Sequence, residues 1–161
     1  MKSSLTAEQA YPKIKFYCAY RERCHYEVKE KLFGYGLNKP SVDQLLAKLI
    51  EEGFLNEERY AVQFAGSHFR VKKWGKKKII YALRQKKISE ANIKTALLTI
   101  EAPDYANILE KIALAKWKSL IKESTITRQA KTIAFLTQKG FEYPLIRKAM
   151  IKIREAAESI D

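Results

Sequence analysis

The sequence predicts an all-α protein, an elongated, curved array of three tandem three-helix repeats with about nine helices. One spacing of apolar residues, in steps of five, five and four, occurs three times at offsets of 51 and 53 residues in this chain of 161. Around each set, apolar residues recur at intervals of three and four, which is the period of a helix and not of a strand. Repetition at a fixed period indicates a supersecondary unit that is copied and stacked, typically to bind an elongated partner. The three sets are Leu32, Leu37, Val42 and Leu46; Leu83, Ile88, Ile93 and Leu97; and Leu136, Phe141, Ile146 and Met150.

The repeat divides the chain into three units, expected at residues 1–53 (with an N-terminal extension), 54–102 and 103–161. Each unit has two apolar-periodic stretches joined by a short turn and a third stretch ahead of them, so each is a helix triplet. The helices are predicted at roughly residues 12–23, 25–35, 40–52, 56–71, 75–86, 89–100, 104–122, 127–139 and 143–158.

Turn and capping residues place the helix ends. In the first unit, Gly34 and Gly36 end the second helix, and Ser41 opens the third with Gln44 at the spacing of a capping box. Pro40, just before Ser41, is compatible with a helix start. Gly140 ends the eighth helix. The other predicted start signals are Asn56, Gly75, Ser89, Asp104, Thr125 or Thr127, and Pro144.

Positive charge is concentrated in one segment. The formal net charge is +13, and residues 70–87 hold nine Lys or Arg and no Asp or Glu, whereas the stretches before and after them are nearly balanced. A single-sign cluster of this density attracts polyanions. Because no base-reading pattern accompanies it, we expect any contact with single- or double-stranded DNA to be with the phosphates and independent of base sequence; an acidic protein surface is the alternative partner.

The lysines that follow Gly75 favour a binding role over a stabilising one. Lys76, Lys77 and Lys78 fall in the first turn of a helix, where each cation is unfavourable by about 0.3–1 kcal/mol. A helical wheel turns Lys77, Lys78 and Tyr81 outward. The residues predicted to bind nucleic acid or a nucleoprotein filament are Arg70, Lys72, Lys73, Trp74, Lys76, Lys77, Lys78, Tyr81 and Arg84.

No catalytic, cofactor or metal site is predicted. The sequence lacks phosphate-loop, dinucleotide and zinc-protease motifs. Cys18, Cys24, His25 and His68 match no recurrent zinc spacing. The first residues contain no signal-like apolar region and no apolar run approaches the ~20 residues of a membrane span, so we expect a cytoplasmic protein.

Three stretches carry a resemblance to a known family. Residues 21–32 read RERCHYEVKEKL, residues 53–61 read GFLNEERYA, and Gly75 is followed by Ile79, Leu83 and Ile88. They are similar to the R-x-R-S-x-x-E-L-x-x-K-L, G-[YFL]-[LI]-[DN]-[DE]-x-[RK]-[FY]-A and K-G-x-x-x-I-x-x-x-L-x-x-[KR]-G-I stretches of the RecX regulators of the recombinase RecA. From about Ile14 to Ile153, the chain resembles this family. The matching positions are Arg21, Arg23, Glu27, Leu32, Asn56, Arg59, Tyr60, Ala61 and Gly75.

Two positions depart from the family pattern. Cys24 stands where the family has Ser, which removes a good N-cap from the second helix. Lys87 replaces the glycine before Ile88, so we expect that turn to close differently. We also expect Arg21, Arg23 and Arg59 to form structural ion pairs or partner contacts.

The resemblance implies a small, non-enzymatic regulator of RecA. Such a protein would bind the RecA–DNA filament along its groove and inhibit strand exchange, ATP hydrolysis and coprotease activity, in homologous recombination, DNA repair and the SOS response. We expect it to be a monomer that needs no cofactor.

Two alternatives belong to other classes of protein. One is a free-standing, sequence-independent DNA-binding protein that uses a helix pair as a helix-turn-helix; the other is a helical-repeat scaffold with unrelated protein partners. Against the first, the helices after the turns begin with Asp43 and Glu90 near their N-termini, which phosphates would repel.

Overall fold

Every regular element of residues 4–159, which this computed structural model describes, is an α-helix. Nine helices within that range confirm the predicted all-α class. The first three residues of the first predicted unit and the last two of the third lie outside the described residues. The helices are α1 Ala7–Tyr20, α2 His25–Gly34, α3 Lys39–Glu51, α4 Glu57–Arg70, α5 Lys76–Gln85, α6 Glu90–Leu98, α7 Ala102–Ser119, α8 Thr125–Gln138 and α9 Tyr143–Glu158.

Helix α1 begins five residues before its predicted start. A capping box forms here: the Thr6 hydroxyl accepts the N–H of Gln9 at 3.1 Å, and the Gln9 side chain accepts the N–H of Thr6 at 3.0 Å. Pro12, the first residue of the predicted helix, lies inside the observed one. The prediction was wrong because this capping box starts the helix upstream of the proline.

Three other starts also need correction. Asn38 caps α3 by accepting the N–H of Ser41 at 3.0 Å, so Ser41 lies within the helix. Ser124 caps α8, one residue before the predicted Thr125. Helix α7 begins at Ala102, before Asp104. The predicted caps Asn56 and Ser89 are confirmed by their hydrogen bonds to Arg59 N–H and Asn92 N–H.

The threefold apolar spacing corresponds to the core. Ten of its twelve residues are buried, and the other two, Leu46 and Leu97, are half-buried. Each set spans the end of one helix, the turn and the following helix, in α2–α3, α5–α6 and α8–α9. The repeat in sequence is therefore a repeat in structure.

The same turn conformation recurs at the end of α2, α5 and α8. Gly36, Lys87 and Gly140 all have positive φ angles, of 89°, 60° and 97°, and each N–H donates to the carbonyl three residues back. These positions are separated by the repeat offsets of 51 and 53. After α5 and α8, the next N–H also donates five residues back, which completes a Schellman motif. The expectation that Lys87 closes its turn differently is wrong, because the lysine adopts the left-handed conformation.

Unit 1 is one of two compact units and contains the described residues up to Phe64 together with Leu83–Ala96. Helices α1, α2 and α3 pack on one another in pairs. Cys24 precedes α2 without a side-chain cap, as expected. Cys18 and Cys24 are free and buried, and burial raises the pKa of the Cys18 thiol to about 11. The core comprises Ala10, Ile14, Cys18, Val28, Leu32, Leu37, Val42, Leu45, Leu49 and Leu55.

Unit 2 contains Ala65–Ala82 and the described residues from Leu97 onward. Helices α7, α8 and α9 pack pairwise. Thr132 of α8 is fully buried, and its hydroxyl donates to the carbonyl of Arg128 at 2.8 Å, which satisfies it within its own helix. The buried residues of these helices include Leu109, Ala113, Trp117, Leu136, Ile146, Ala149 and Met150.

The substitution Lys87→Gly tests the turn after α5. A left-handed conformation costs a residue with a Cβ about 1–2 kcal/mol, and the greater freedom of glycine in the unfolded chain offsets part of the gain. We expect the free energy of unfolding to rise by about 0.5–1 kcal/mol in urea denaturation. Lys87→Ala is the control, because it removes the same charge and keeps the Cβ; an equal gain in both variants would contradict the conformational cause.

Candidate nucleic-acid interface

Residues 70–82 of the basic segment lie in unit 2, where they form the end of α4, a turn, and the start of α5. Lys77 and Tyr81 point outward, as the helical wheel predicts, while Lys78 is half-buried. The exposed predicted site residues here are Arg70, Lys72, Lys77 and Tyr81, and the half-buried ones are Lys73, Trp74, Lys76 and Lys78.

Two glycine backbones meet at the start of α5. Gly75 donates its N–H to the carbonyl of Lys139 at 2.7 Å, and Lys77 donates to the carbonyl of Gly140 at 3.0 Å. A Cβ on Gly75 would lie 2.3 Å from the carbonyl carbon of Gly140, and one on Gly140 would lie 2.4 Å from the Cβ of Lys78. Only glycine permits this approach at both positions.

A tyrosine from α7 caps the same helix. The Tyr105 hydroxyl accepts the N–H of Lys76 at 2.9 Å and donates to the Glu142 carboxylate. The Tyr105 ring is nearly fully buried, between the rings of Phe69 and Phe141 at centroid distances of 5.7 and 5.3 Å. Burial and the hydrogen bond to Glu142 raise the pKa of Tyr105, so its hydroxyl stays protonated. Gly75, which precedes the helix, has no side chain that could cap the first-turn N–H groups. The Tyr105 hydroxyl satisfies one of them, the N–H of Lys76.

Aromatic rings hold two of the three first-turn lysines. The ammonium of Lys76 lies 5.0 Å from the centre of the Tyr105 ring, and that of Lys78 lies 4.8 Å from Trp74. The ammonium of Lys72 also lies over the Trp74 ring, 5.4 Å from its centre. The His68 ring packs against the Trp74 ring, with 4.6 Å between the ring centres. The Trp74 ring therefore contacts two lysines, Lys72 and Lys78. Cation–π contacts of this kind offset part of the unfavourable charge at the helix N-terminus.

The cations of this stretch have no acidic partners. Within the described residues, no ion pair involves Arg70, Lys72, Lys73, Lys76, Lys77 or Lys78. Arg84, in unit 1, differs: its guanidinium donates to both carboxylate oxygens of Glu90, at 2.7 and 3.1 Å. These bonds raise the pKa of Arg84 and lower that of Glu90.

The arginines that carry the resemblance have structural contacts in unit 1. Arg59 of α4 pairs with Glu22 at 2.5 Å and donates to the carbonyl of Gly53 at 3.2 Å, so it links α4 to two turns. Arg23 is buried, with its guanidinium 3.7 Å from the centre of the Tyr17 ring, and it donates to the Tyr17 carbonyl. The ion-pair expectation is confirmed for Arg59, whereas Arg23 uses a hydrogen bond and an aromatic face. Arg21 is exposed.

Other residues of the resemblance surround the start of α2. Glu27 accepts a hydrogen bond from the Tyr60 hydroxyl at 3.3 Å and lies 3.4 Å from the ammonium of Lys86. Burial raises the pKa of Tyr60, which keeps the hydroxyl a donor. Leu32 and Ala61 are fully buried. Glu27, Leu32, Tyr60 and Ala61 therefore contribute to packing within unit 1.

The described residues contain neither a cluster of metal ligands nor a membrane-spanning helix. Among residues 4–159, no group of three or more His, Cys, Asp or Glu side chains is placed to hold a metal ion. No helix in the described part of the chain has the length and apolar character needed to cross a membrane.

Comparisons with known proteins identify the family. Family models described as the second and third three-helix domains of RecX match residues 56–97 and 104–150. A regulatory protein RecX from Chlorobium phaeobacteroides is 31% identical over 133 residues, which cover 83% of this chain and 85% of that protein. The chain belongs to the RecX family. A further RecX from Chlorobium limicola is 28% identical, with 83% of this chain and 82% of that protein covered.

Solved RecX structures share the fold. The crystal structure of RecX from Lactobacillus salivarius has a TM-score of 0.85 at 22% identity, and covers 92% of this chain and 96% of its own. A second RecX crystal structure has a TM-score of 0.83 at 24% identity, with 89% and 72% covered. The helical arrangement is therefore that of the RecX family.

Gly75→Ala tests the glycine contact. A methyl group here would overlap the carbonyl group of Gly140, and relief requires a backbone shift, so we expect a loss of about 2 kcal/mol or more in the free energy of unfolding. Gly34→Ala is the matched control, because nothing lies within 4 Å of its added Cβ, and helix propensity favours alanine by up to about 1 kcal/mol. Equal melting temperatures for the Gly75 variant and the natural protein would contradict the close contact.

Proposed function

We propose that this protein is a non-enzymatic regulator that binds the RecA–DNA filament. In this proposal it inhibits strand exchange, ATP hydrolysis and coprotease activity, and acts in the cytoplasm in DNA repair, homologous recombination and the SOS response. Membership of the RecX family supports the choice of RecA, since its relatives are named regulatory proteins. The same proposal includes the shape of the molecule, an elongated and curved monomer. Its three tandem repeats are proposed at residues 1–53, 54–102 and 103–161.

One observation supports the DNA part of this function. Six cations between Arg70 and Lys78 surround a tertiary-capped helix start, and none has a carboxylate partner within the described residues. Cations without carboxylate partners, clustered on one stretch of backbone, attract phosphates. Lys72 and Lys77 are the exposed lysines of this group, and we propose them as principal phosphate contacts. Arg84 contributes less, because Glu90 already binds it.

Recombinase inhibition tests the regulator proposal. We expect sub-stoichiometric amounts of this protein to lower the rate of ATP hydrolysis by the cognate RecA on single-stranded DNA, and the protein alone to hydrolyse nothing. The measurement is a coupled ATPase assay with protein titrated into preformed filaments. Undiminished hydrolysis in a stoichiometric excess would reject the regulator and leave the free-standing DNA-binding protein or the scaffold. Capture of partners from extract with and without nuclease separates those two.

The double substitution Lys72→Gln and Lys77→Gln tests the phosphate contacts. Both side chains are exposed, so we expect the melting temperature to be retained while affinity for single-stranded DNA falls. If each lysine neutralises one phosphate, the slope of log K against log salt becomes shallower by about 1.4. Fluorescence anisotropy of a labelled oligonucleotide over a range of salt concentrations measures both quantities.

Lys13→Gln with Lys94→Gln is the charge-matched control. Both lysines are exposed and lie outside the basic segment. We expect this control to have the same slope of log K against log salt as the natural protein. If the two double variants behave alike, the six cations form no specific phosphate site.

A further inference from the structure

A cleft of about 350 Å³ lies between α8 and α9 in unit 2. Its floor is apolar, formed by Ile133 of α8 and by Met150 and Ile151 of α9. Met150 is nearly fully buried, whereas Ile151 is 44% exposed, so the cleft opens to solvent. A space of this size is within the range of pockets that bind small organic groups.

The rim of the cleft is polar and basic. It consists of Gln129, Tyr143, Arg147 and Arg154, and no carboxylate lines it. Arg147 and Arg154 are exposed, and no ion pair within residues 4–159 involves either. Seven residues separate them, which is about 10.5 Å along one helix. Tyr143 is 59% exposed at the start of α9.

The surrounding helices α8 and α9 are net positive, with six Lys or Arg against Glu155 and Glu158, although they are less one-sided in charge than the basic segment. Residues 125–154 hold seven Lys or Arg and one acidic residue, Glu142. That carboxylate accepts the Tyr105 hydroxyl. The charge of this region is partly offset in the sum over residues 88–161, because residues 88–124 are neutral and residues 155–161 add three acidic residues. A polyanion is therefore the complementary ligand.

We propose that the α8–α9 cleft binds single-stranded nucleic acid, with an unpaired base against Tyr143 and the apolar floor and the flanking phosphates on Arg147 and Arg154. A cationic groove with an aromatic platform is the general design of sequence-tolerant single-strand binding. A duplex does not fit, since its bases are paired and stacked.

This inference rests on the proposed function only in taking DNA as a partner. The binding measurements that test it contain no recombinase, and RecA inhibition is a separate measurement that detects a protein partner. The probes are a labelled oligothymidylate of about 15 nucleotides and an abasic sugar-phosphate oligomer of the same length. We expect Tyr143→Ala to weaken oligothymidylate binding by about fivefold or more and to leave abasic binding unchanged. Tyr143→Phe keeps the ring and should keep the affinity.

The arginines are tested with Arg147→Gln and Arg154→Gln together. We expect weaker binding of both probes and a salt slope shallower by about 1.4, whereas the charge-matched control Lys118→Gln with Lys122→Gln keeps the natural slope. Thermal melting checks that each variant is folded. Natural slopes in the arginine variant, or an equal effect of Tyr143→Ala on both probes, would overturn the site. Unchanged DNA binding with loss of RecA inhibition would also overturn it and assign the cleft to a protein partner.

Discussion

The contact between the backbones of Gly75 and Gly140 is the constraint on which the candidate interface depends. It places the start of α5 against the end of α8, at a distance that no side chain would allow. Two backbone hydrogen bonds and the Tyr105 hydroxyl then satisfy N–H groups that the sequence leaves without a cap. These contacts position the backbone that carries the cations following Gly75.

This arrangement explains how a helix tolerates three lysines in its first turn. Each cation there opposes the helix dipole by about 0.3–1 kcal/mol. Burial of Tyr105, its hydrogen bonds and the cation–π contacts of Lys76 and Lys78 act in the opposite direction. Packing from α7 and α8 therefore offsets the cost of placing these positive charges at the helix N-terminus. Lys77 stays exposed to solvent.

Repetition governs conformation as well as core packing. The left-handed residue after α2, α5 and α8 recurs with the same offsets as the buried apolar residues, and it persists where a lysine replaces glycine. The position in the repeat, together with the Schellman hydrogen bonds after α5 and α8, therefore determines this turn more strongly than the intrinsic preference of one residue. By contrast, polar contacts such as Arg59–Glu22 and Tyr105–Glu142 are particular to one unit.

The sequence by itself determined the nine helices, most of the core and the location of the basic segment, because helical periodicity and net charge are local properties. It misplaced the start of α1, because the capping box of Thr6 and Gln9 lies upstream of the predicted first residue. Only the tertiary structure decided which groups support the interface. Tyr105 and Gly140 lie 29 and 65 residues from Lys76 and Gly75, and the cleft between α8 and α9 exists only once those helices pack. No spacing within one helix encodes such contacts, since they depend on where the fold brings distant backbones together.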